Sequence, residues 1–139
     1  MRLVLDTNVA LSGLLWQGTP GKLIDACQAR QIELASSAPL LAELHAVIKR
    51  DKFALQLAAR ELSAQTIFDG YAAMVTIVTP AIIPPTIAED PADDAVLACA
   101  LSARADLIVS GDKRHLLTLA VWQGISIVSA REAVQRIVA

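Results

Sequence analysis

The 139-residue chain is predicted to fold as an α/β protein, three layers of α/β/α around a central, mostly parallel sheet of about five strands. Three observations predict it. Short apolar runs alternate with longer helical patterns, as βαβ units require. The apolar residues are mostly Ala, Leu, Val and Ile, the mixture expected of helices packed on a sheet buried on both faces. Acidic residues recur where apolar runs stop: Arg2-Leu3-Val4-Leu5 ends in Asp6, and Leu107-Ile108-Val109 ends in Ser110-Gly111-Asp112. In an open parallel sheet, ligands bind outside the carboxyl ends of the strands, where the strand order reverses.

Arg2 to Leu5 reads as a short buried strand, and Thr7 to Trp16 as helix or loop. Thr19-Pro20 offers an N-cap hydroxyl and a proline at the first helical position, for a helix reaching about Arg30. Ile32 to Ala35 is the second strand. Ser36-Ser37-Ala38-Pro39 opens a helix that carries Glu43 and ends near Arg50. Phe53 to Met74 reads as two helices divided by a cap at Ser63, and the β-branched Val75 to Val78 as the third strand. Four prolines between Thr79 and Pro91 make that stretch a loop inside one continuous α/β pattern. A helix from Asp93 to about Arg104, the strand Leu107 to Val109, a short helix Lys113 to Leu119 and the strand Ile125 to Val128 follow. Ser129-Ala130-Arg131-Glu132 is a capping box that starts the last helix.

The length suits a single domain spanning 1–139 with a proper core, and 55% hydrophobic against 19% charged residues excludes disorder. No apolar run reaches the roughly 18 residues that span a bilayer, and the N-terminus lacks the pattern of a signal peptide. Cys27 and Cys99 are far apart in helical patterns, so reduced core thiols in a cytoplasmic protein are expected rather than a disulfide or zinc framework. The net charge of −2 carries no bulk basic footprint for polyanions. Lys22, Lys49, Arg50, Lys52, Lys113 and Arg114 are the basic residues available to rim an acidic centre.

Each acidic position also has a plain structural use. Asp6 suits a helix N-cap, and Asp90 suits the first turn of a helix, where acids complement the helix dipole. Glu43 suits the solvent face of an amphipathic helix, and Asp112 a cap after Gly111. Two adjacent acids, Asp93 and Asp94, exceed what capping needs, and Glu43 lies among leucines. Carboxylates gathered in one crevice cannot all stay ionised without a cation; such a cluster asks for a hard divalent metal. His45 and His115 have no Cys or His partner at ligand spacing and suit surface or helix-end roles. Gly13 to Gly18 misses a phosphate-binding loop, because Thr19-Pro20 follows where Lys and Ser or Thr are needed. There is no G-x-G-x-x-G and no G-x-S-x-G.

Four segments in order, Leu3-Val4-Leu5-Asp6-Thr7-Asn8-Val9, the helical Glu43, Asp90-Pro91-Ala92-Asp93-Asp94 before an apolar helix, and Ile108-Val109-Ser110-Gly111-Asp112-Lys113, resemble the PIN domain over nearly the whole chain. The opening and closing motifs are most like the branch of toxin components related to the VapC ribonucleases. The resemblance implies a metal-dependent ribonuclease with acids around one or two Mg²⁺ or Mn²⁺ ions, leaving 5′-phosphate and 3′-hydroxyl ends on its RNA substrate. Carried over by position, Asp6, Glu43, Asp93 and Asp112 are the catalytic and metal-binding acids. Asp93 is favoured over Asp94 by the Asp-x-x-hydrophobic pattern ending at Val96, with Asp94 as an outer or second-metal contributor. Thr7 and Asn8 are expected to position Asp6, and Ser110 to brace the site. An antitoxin partner and a homodimer are implied in the same way.

Two other classes compete. An inactive PIN-like scaffold would bind a partner through apolar residues such as Leu14, Leu15, Trp16, Phe53 and Leu57. A phosphotransferase of the haloacid-dehalogenase type also begins with Asp after a central strand, but it needs a general acid two residues later. That position is Asn8, and an amide cannot donate and recover a proton.

Overall fold

The computed structural model describes residues 1–87 and 90–138. Strand β1 (Arg2–Leu5) runs straight into α1 (Thr7–Leu15), and α2 (Gly18–Gln28) leads to β2 (Glu33–Ser36). Helix α3 (Ala38–Ile48), a 3₁₀ turn (Asp51–Phe53), α4 (Ala54–Ala59) and α5 (Ala64–Met74) precede β3 (Thr76–Ile77). After the proline-rich segment come α6 (Pro91–Ala103), β4 (Leu107–Val109), α7 (Leu116–Leu119), β5 (Val121–Trp122), β6 (Ile125–Val128) and α8 (Ala130–Val138).

Among the described residues the sheet has six strands in the order β3-β2-β1-β4-β6-β5, one more than the about five expected. The addition is the two-residue edge strand β5, antiparallel to β6, while every other pairing is parallel. Gln123 and Gly124 join β5 to β6 with positive φ at both positions (51° and 78°), the backbone that a tight two-residue hairpin demands. A run as short as Val121-Trp122 has no periodicity to betray it. The third strand is likewise only Thr76–Ile77 rather than Val75 to Val78.

Alternate residues of each central strand enter different cores, because side chains on a strand alternate between faces. Leu3, Leu5, Leu107 and Val109 pack with α1, α2, α3, α5 and α8 on one face. Val4, Ile108 and Ile127 pack with Val96, Leu97 and Ala100 of α6 and Leu116 of α7 on the other. Helices therefore cover both faces, as expected. Among these residues Leu3, Val4, Leu97, Ile108 and Leu116 are completely buried. Truncating such a leucine or isoleucine to alanine typically costs about 2–5 kcal/mol.

Local rules fix most helix starts. Ser37, Ser63 and Ser129 accept the backbone N–H groups of Leu40, Thr66 and Glu132, and Asp90 caps α6. Helix α2 is an exception. It starts at Gly18, behind Gln17 with φ 63°, so Thr19 and Pro20 lie inside the first turn instead of starting it. Pro20 is tolerated there because first-turn N–H groups have no helical partner anyway. Gly13 lets α1 and α2 approach closely: a Cβ at this position would stand 3.0 Å from both the Pro20 carbonyl oxygen and Ile24 Cγ1.

From β1 the chain steps outward to β2 and β3, then returns to the other side of β1 to place β4 and β6. The order thus reverses between β1 and β4, and the carboxyl ends of these two strands carry Asp6 and Ser110-Gly111-Asp112. Cys27 and Cys99 are free thiols, Cys99 fully buried. No helix among the described residues is long and apolar enough to cross a membrane.

Candidate functional site

Asp6 is held from both strands of the switch point. Its backbone N–H donates to the Val109 carbonyl at 3.0 Å, so the pairing of β1 with β4 continues into it. Its Oδ1 accepts the Val9 N–H at 2.8 Å, which caps α1. Its Oδ2 accepts the Ser110 hydroxyl at 2.5 Å and the Gly111 N–H at 3.3 Å. Burial raises the Asp6 pKa, and these three hydrogen bonds oppose the rise by favouring the charged form. The neighbours expected to position it behave differently. Thr7 Oγ1 is buried without a hydrogen-bond partner, and Asn8 is exposed.

Asp112 is fixed by the turn it begins. Its Oδ1 accepts the N–H groups of Arg114 (3.0 Å) and His115 (3.2 Å), and its own N–H donates to Ser110 Oγ at 3.0 Å. Ser110, fully buried, therefore donates to Asp6 and accepts from Asp112.

Helix α6 brings the other acids. Asp90 Oδ1 accepts the Ala92 and Asp93 N–H groups at 3.0 and 3.4 Å. Asp93, one turn on, is 8% exposed, and its Oδ2 is buried with no hydrogen-bond partner. His115 Nδ1 lies 3.3 Å from that oxygen and 3.3 Å from Asp112 Oδ2. One oxygen or nitrogen atom from each of Asp90, Asp93, Asp112 and His115 lies within 4.8 Å of all the others.

The charges in this group conflict. Burial, contact with the Asp112 carboxyl and the nearby Asp90 push Asp93 up to about 7, with His115 opposing. Asp112 is pushed down, first by the hydrogen bond from Asp93. Two carboxyls in such contact titrate as a pair, with Asp93 the one pushed toward its protonated form. A divalent cation in place of the proton would relieve the repulsion and supply the partner that the buried Asp93 oxygen lacks. Asp90, Asp93, Asp112 and His115 are the residues that fit such an ion.

The group opens into a cleft of about 390 Å³ whose lining also includes Asp6, Asn8, Glu43 and Arg114. Glu43, half-buried on α3, thus faces the same space as Asp6 while standing outside the tight four-residue group. Asp94 is absent from the cleft lining. Its carboxylate accepts the N–H groups of Thr86 (3.2 Å) and Ile87 (2.7 Å), which fastens the proline-rich segment to the start of α6. A larger depression of about 800 Å³ lies at the amino ends of the strands, lined by Arg2, Arg30, Glu33 and Asp106, where Arg2 already bonds to Glu33 through its side chain and to Asp106 through its backbone N–H.

Sequence reading left Asp90 and His115 out of the site. Each does a bland job: Asp90, expected as a first-turn acid, instead caps α6, which starts at Pro91 rather than Asp93, and His115 precedes α7. Each also lies three residues from a candidate acid, Asp90 from Asp93 and His115 from Asp112. That spacing places both members of a pair on one face of a helical turn, and it was the signal available.

A search of curated protein sequences finds no significant match. Among solved structures, a chain of the VapBC2 complex from Rickettsia felis, crystallised with a DNA fragment from their promoter, is similar in fold. The TM-score is 0.61 at 14% sequence identity, over 91% of this chain and 97% of that one. The sequence signature of the PIN domain matches residues 2–114. With the signature running from β1 through both acidic strand ends, this chain belongs to the PIN domain family.

Proposed function

We propose that this protein is a metal-dependent endoribonuclease that hydrolyses RNA phosphodiester bonds, with Asp6, Glu43, Asp93 and Asp112 as its acidic machinery and Mg²⁺ or Mn²⁺ as cofactor. The observation that carries the reading is the buried Asp93 oxygen, without a hydrogen-bond partner, among three further ligand-type side chains in the cleft at the β1–β4 switch point. Asp93 and Asp112, with Asp90 and His115, would hold a divalent ion. An ion bound there would supply Lewis-acid polarisation of a phosphate oxygen and a lowered pKa of water.

The chain's own residues supply the positioning. Three donors orient the Asp6 carboxylate, which lines the cleft. Glu43 faces the same space from α3, where a carboxylate can accept a proton from an attacking water. Arg114, on the cleft lining, offers a guanidinium to the phosphodiester. Lys113 is exposed beside it. The cleft is open rather than a closed pocket, which suits a single-stranded or looped RNA whose backbone can reach the acids. Ser110 braces Asp6 and Asp112 together, and Asp94 supports the helix that carries Asp93.

The test is cleavage of an unstructured RNA by purified protein with added Mn²⁺ or Mg²⁺, beside Asp6→Asn. Activity that needs the ion and vanishes in the variant is expected. Metal-dependent cleavage surviving in Asp6→Asn would remove the mechanism. An inactive scaffold would show neither cleavage nor stabilisation by the ion. Family membership leaves the dehalogenase-type phosphotransferase without support.

A narrower role as the toxin of a toxin–antitoxin pair is favoured by the likeness to the VapBC2 complex. An antitoxin protein is then the partner, and a homodimer the assembly. Growth arrest on expression, relieved by co-expressing the product of an adjacent reading frame, tests the pairing; light scattering of the purified chain tests the dimer.

A further inference from the structure

The four groups that converge at the switch point are not all oxygen donors. His115 Nδ1 stands 3.3 Å from Asp93 Oδ2 and 3.3 Å from Asp112 Oδ2. Ligand atoms that sit side by side in an octahedral shell of about 2.1 Å radius are about 3 Å apart, and opposite ones about 4.2 Å. Both contacts of Nδ1 are close to the adjacent spacing, and the whole group falls within 4.8 Å. The imidazole is held there by the backbone. The His115 N–H donates to Asp112 Oδ1, so its residue is tied to the turn that presents the carboxylate. The Asp93 oxygen facing it accepts no hydrogen bond.

We propose that His115 is a nitrogen ligand of the ion, completing a mixed donor set with Asp90, Asp93 and Asp112, and that this donor set makes the centre selective for Mn²⁺ over Mg²⁺. The inference rests on the metal-dependent reading above and specifies it further. Both ions take carboxylate and water oxygens, but Mn²⁺, a first-row transition ion, also accepts an imidazole nitrogen, whereas Mg²⁺ keeps oxygen ligands and several waters. A centre that spends one of its positions on nitrogen therefore loses more affinity for Mg²⁺ than for Mn²⁺. Asp90 and His115 bind in this account, while Asp6 and Glu43, outside the tight group, line the same cleft.

The experiment is pulsed electron paramagnetic resonance on the metal-free protein loaded with Mn²⁺, with no RNA present. Nitrogen hyperfine coupling is expected, it changes when histidine nitrogen is isotopically labelled, and it is lost in His115→Ala while His45→Ala keeps it. Calorimetric titration supplies the second readout. Because losing even an outer-shell partner costs about ten- to a hundredfold in metal affinity, His115→Ala is expected to weaken Mn²⁺ by at least about tenfold and Mg²⁺ by less. His115→Asp, which restores an oxygen donor, is expected to shift the preference toward Mg²⁺. Circular dichroism confirms that each variant is folded.

Mn²⁺ bound without nitrogen coupling, or a Mn²⁺ to Mg²⁺ affinity ratio unchanged in a folded His115→Asp protein, overturns the proposal. Nitrogen-coupled Mn²⁺ in a protein that leaves RNA intact would uphold the ligand assignment and sink the ribonuclease reading. Failure of the protein to bind either ion would sink both.

Discussion

Ser110 and Asp6, separated by 104 positions in the chain, are joined by a 2.5 Å hydrogen bond between hydroxyl and carboxylate across the ends of β4 and β1. The same hydroxyl oxygen accepts the Asp112 N–H, so one small buried side chain ties two acids into one site. Ser110→Ala leaves both groups short of a partner. Losing a partner of a buried polar group costs about 1–3 kcal/mol, and that loss is expected in urea denaturation. Cleavage should fall as well, because Asp6 loses its strongest restraint. A variant of unchanged stability would show that solvent replaces the hydroxyl.

Asp93 predicts how the metal-free protein responds to pH. An unfolded chain releases this proton near 3.8, whereas the native state keeps it to about 7. Across that window the native state binds more protons than the unfolded state, so Asp93 makes stability decline as pH rises. Asp112 has the opposite sign, since its pKa is lowered; its contribution is present above the unfolded value and is lost only in more acidic solution. The thermal midpoint of the metal-free protein should therefore fall between about pH 4 and 7. Asp93→Asn should flatten that fall. An equally steep decline in the variant would place its origin elsewhere.

Adding Mn²⁺ should reverse the trend, because the cation competes with the proton. At about a hundred times its Kd, a ligand that binds only the native state adds about 2.7 kcal/mol. The rise in midpoint should grow with pH and vanish in Asp93→Asn. A metal effect independent of pH would contradict the placement of the proton on Asp93.

The two adjacent acids of α6 should separate cleanly. Asp94→Ala removes the acceptor for the Thr86 and Ile87 N–H groups, which are at the surface or half-buried. It should cost about 1 kcal/mol and leave the stabilisation by Mn²⁺ nearly intact. Asp93→Ala should abolish that stabilisation. The reverse pattern would exchange their roles.

Gly13→Ala should destabilise the fold by about 1–3 kcal/mol, the usual cost of overpacking. The added methyl meets the Pro20 carbonyl, which cannot move without shifting α2. Chemical denaturation measures it, and a loss below about 0.5 kcal/mol would mean that the two helices separate easily.

Much of this protein could be read along the chain. The alternation of short apolar runs with helical patterns gave the layers and the parallel sheet, because burial on both faces forces that composition on β1 and β4. Hydroxyl caps at Ser37, Ser63 and Ser129 marked helix starts through local hydrogen bonding alone. Asp6, Glu43, Asp93 and Asp112 stood out because an acid at the edge of an apolar run needs a reason, and all four line one cleft. The hairpin edge β5–β6 escaped, since two residues carry no period. The start of α2 escaped because its turn depends on positive φ at Gln17, a residue type that does not announce it.

What only the tertiary structure decided is which groups meet. Capping is a local act that any Asp at a helix start performs, so Asp90 and His115 look complete without a further role. The pairing of β1 with β4 closes a separation of about a hundred residues and sets α6 against the turn after β4. That brings Asp93, Asp90, Asp112 and His115 within one ion's reach. Asp94, one position away, is turned by the helix's rotation toward the proline-rich segment instead. Sequence fixes the supply of charged groups and their local geometry; a difference of about 100° per residue around a helix, combined with long-range strand pairing, determines which of them face one another.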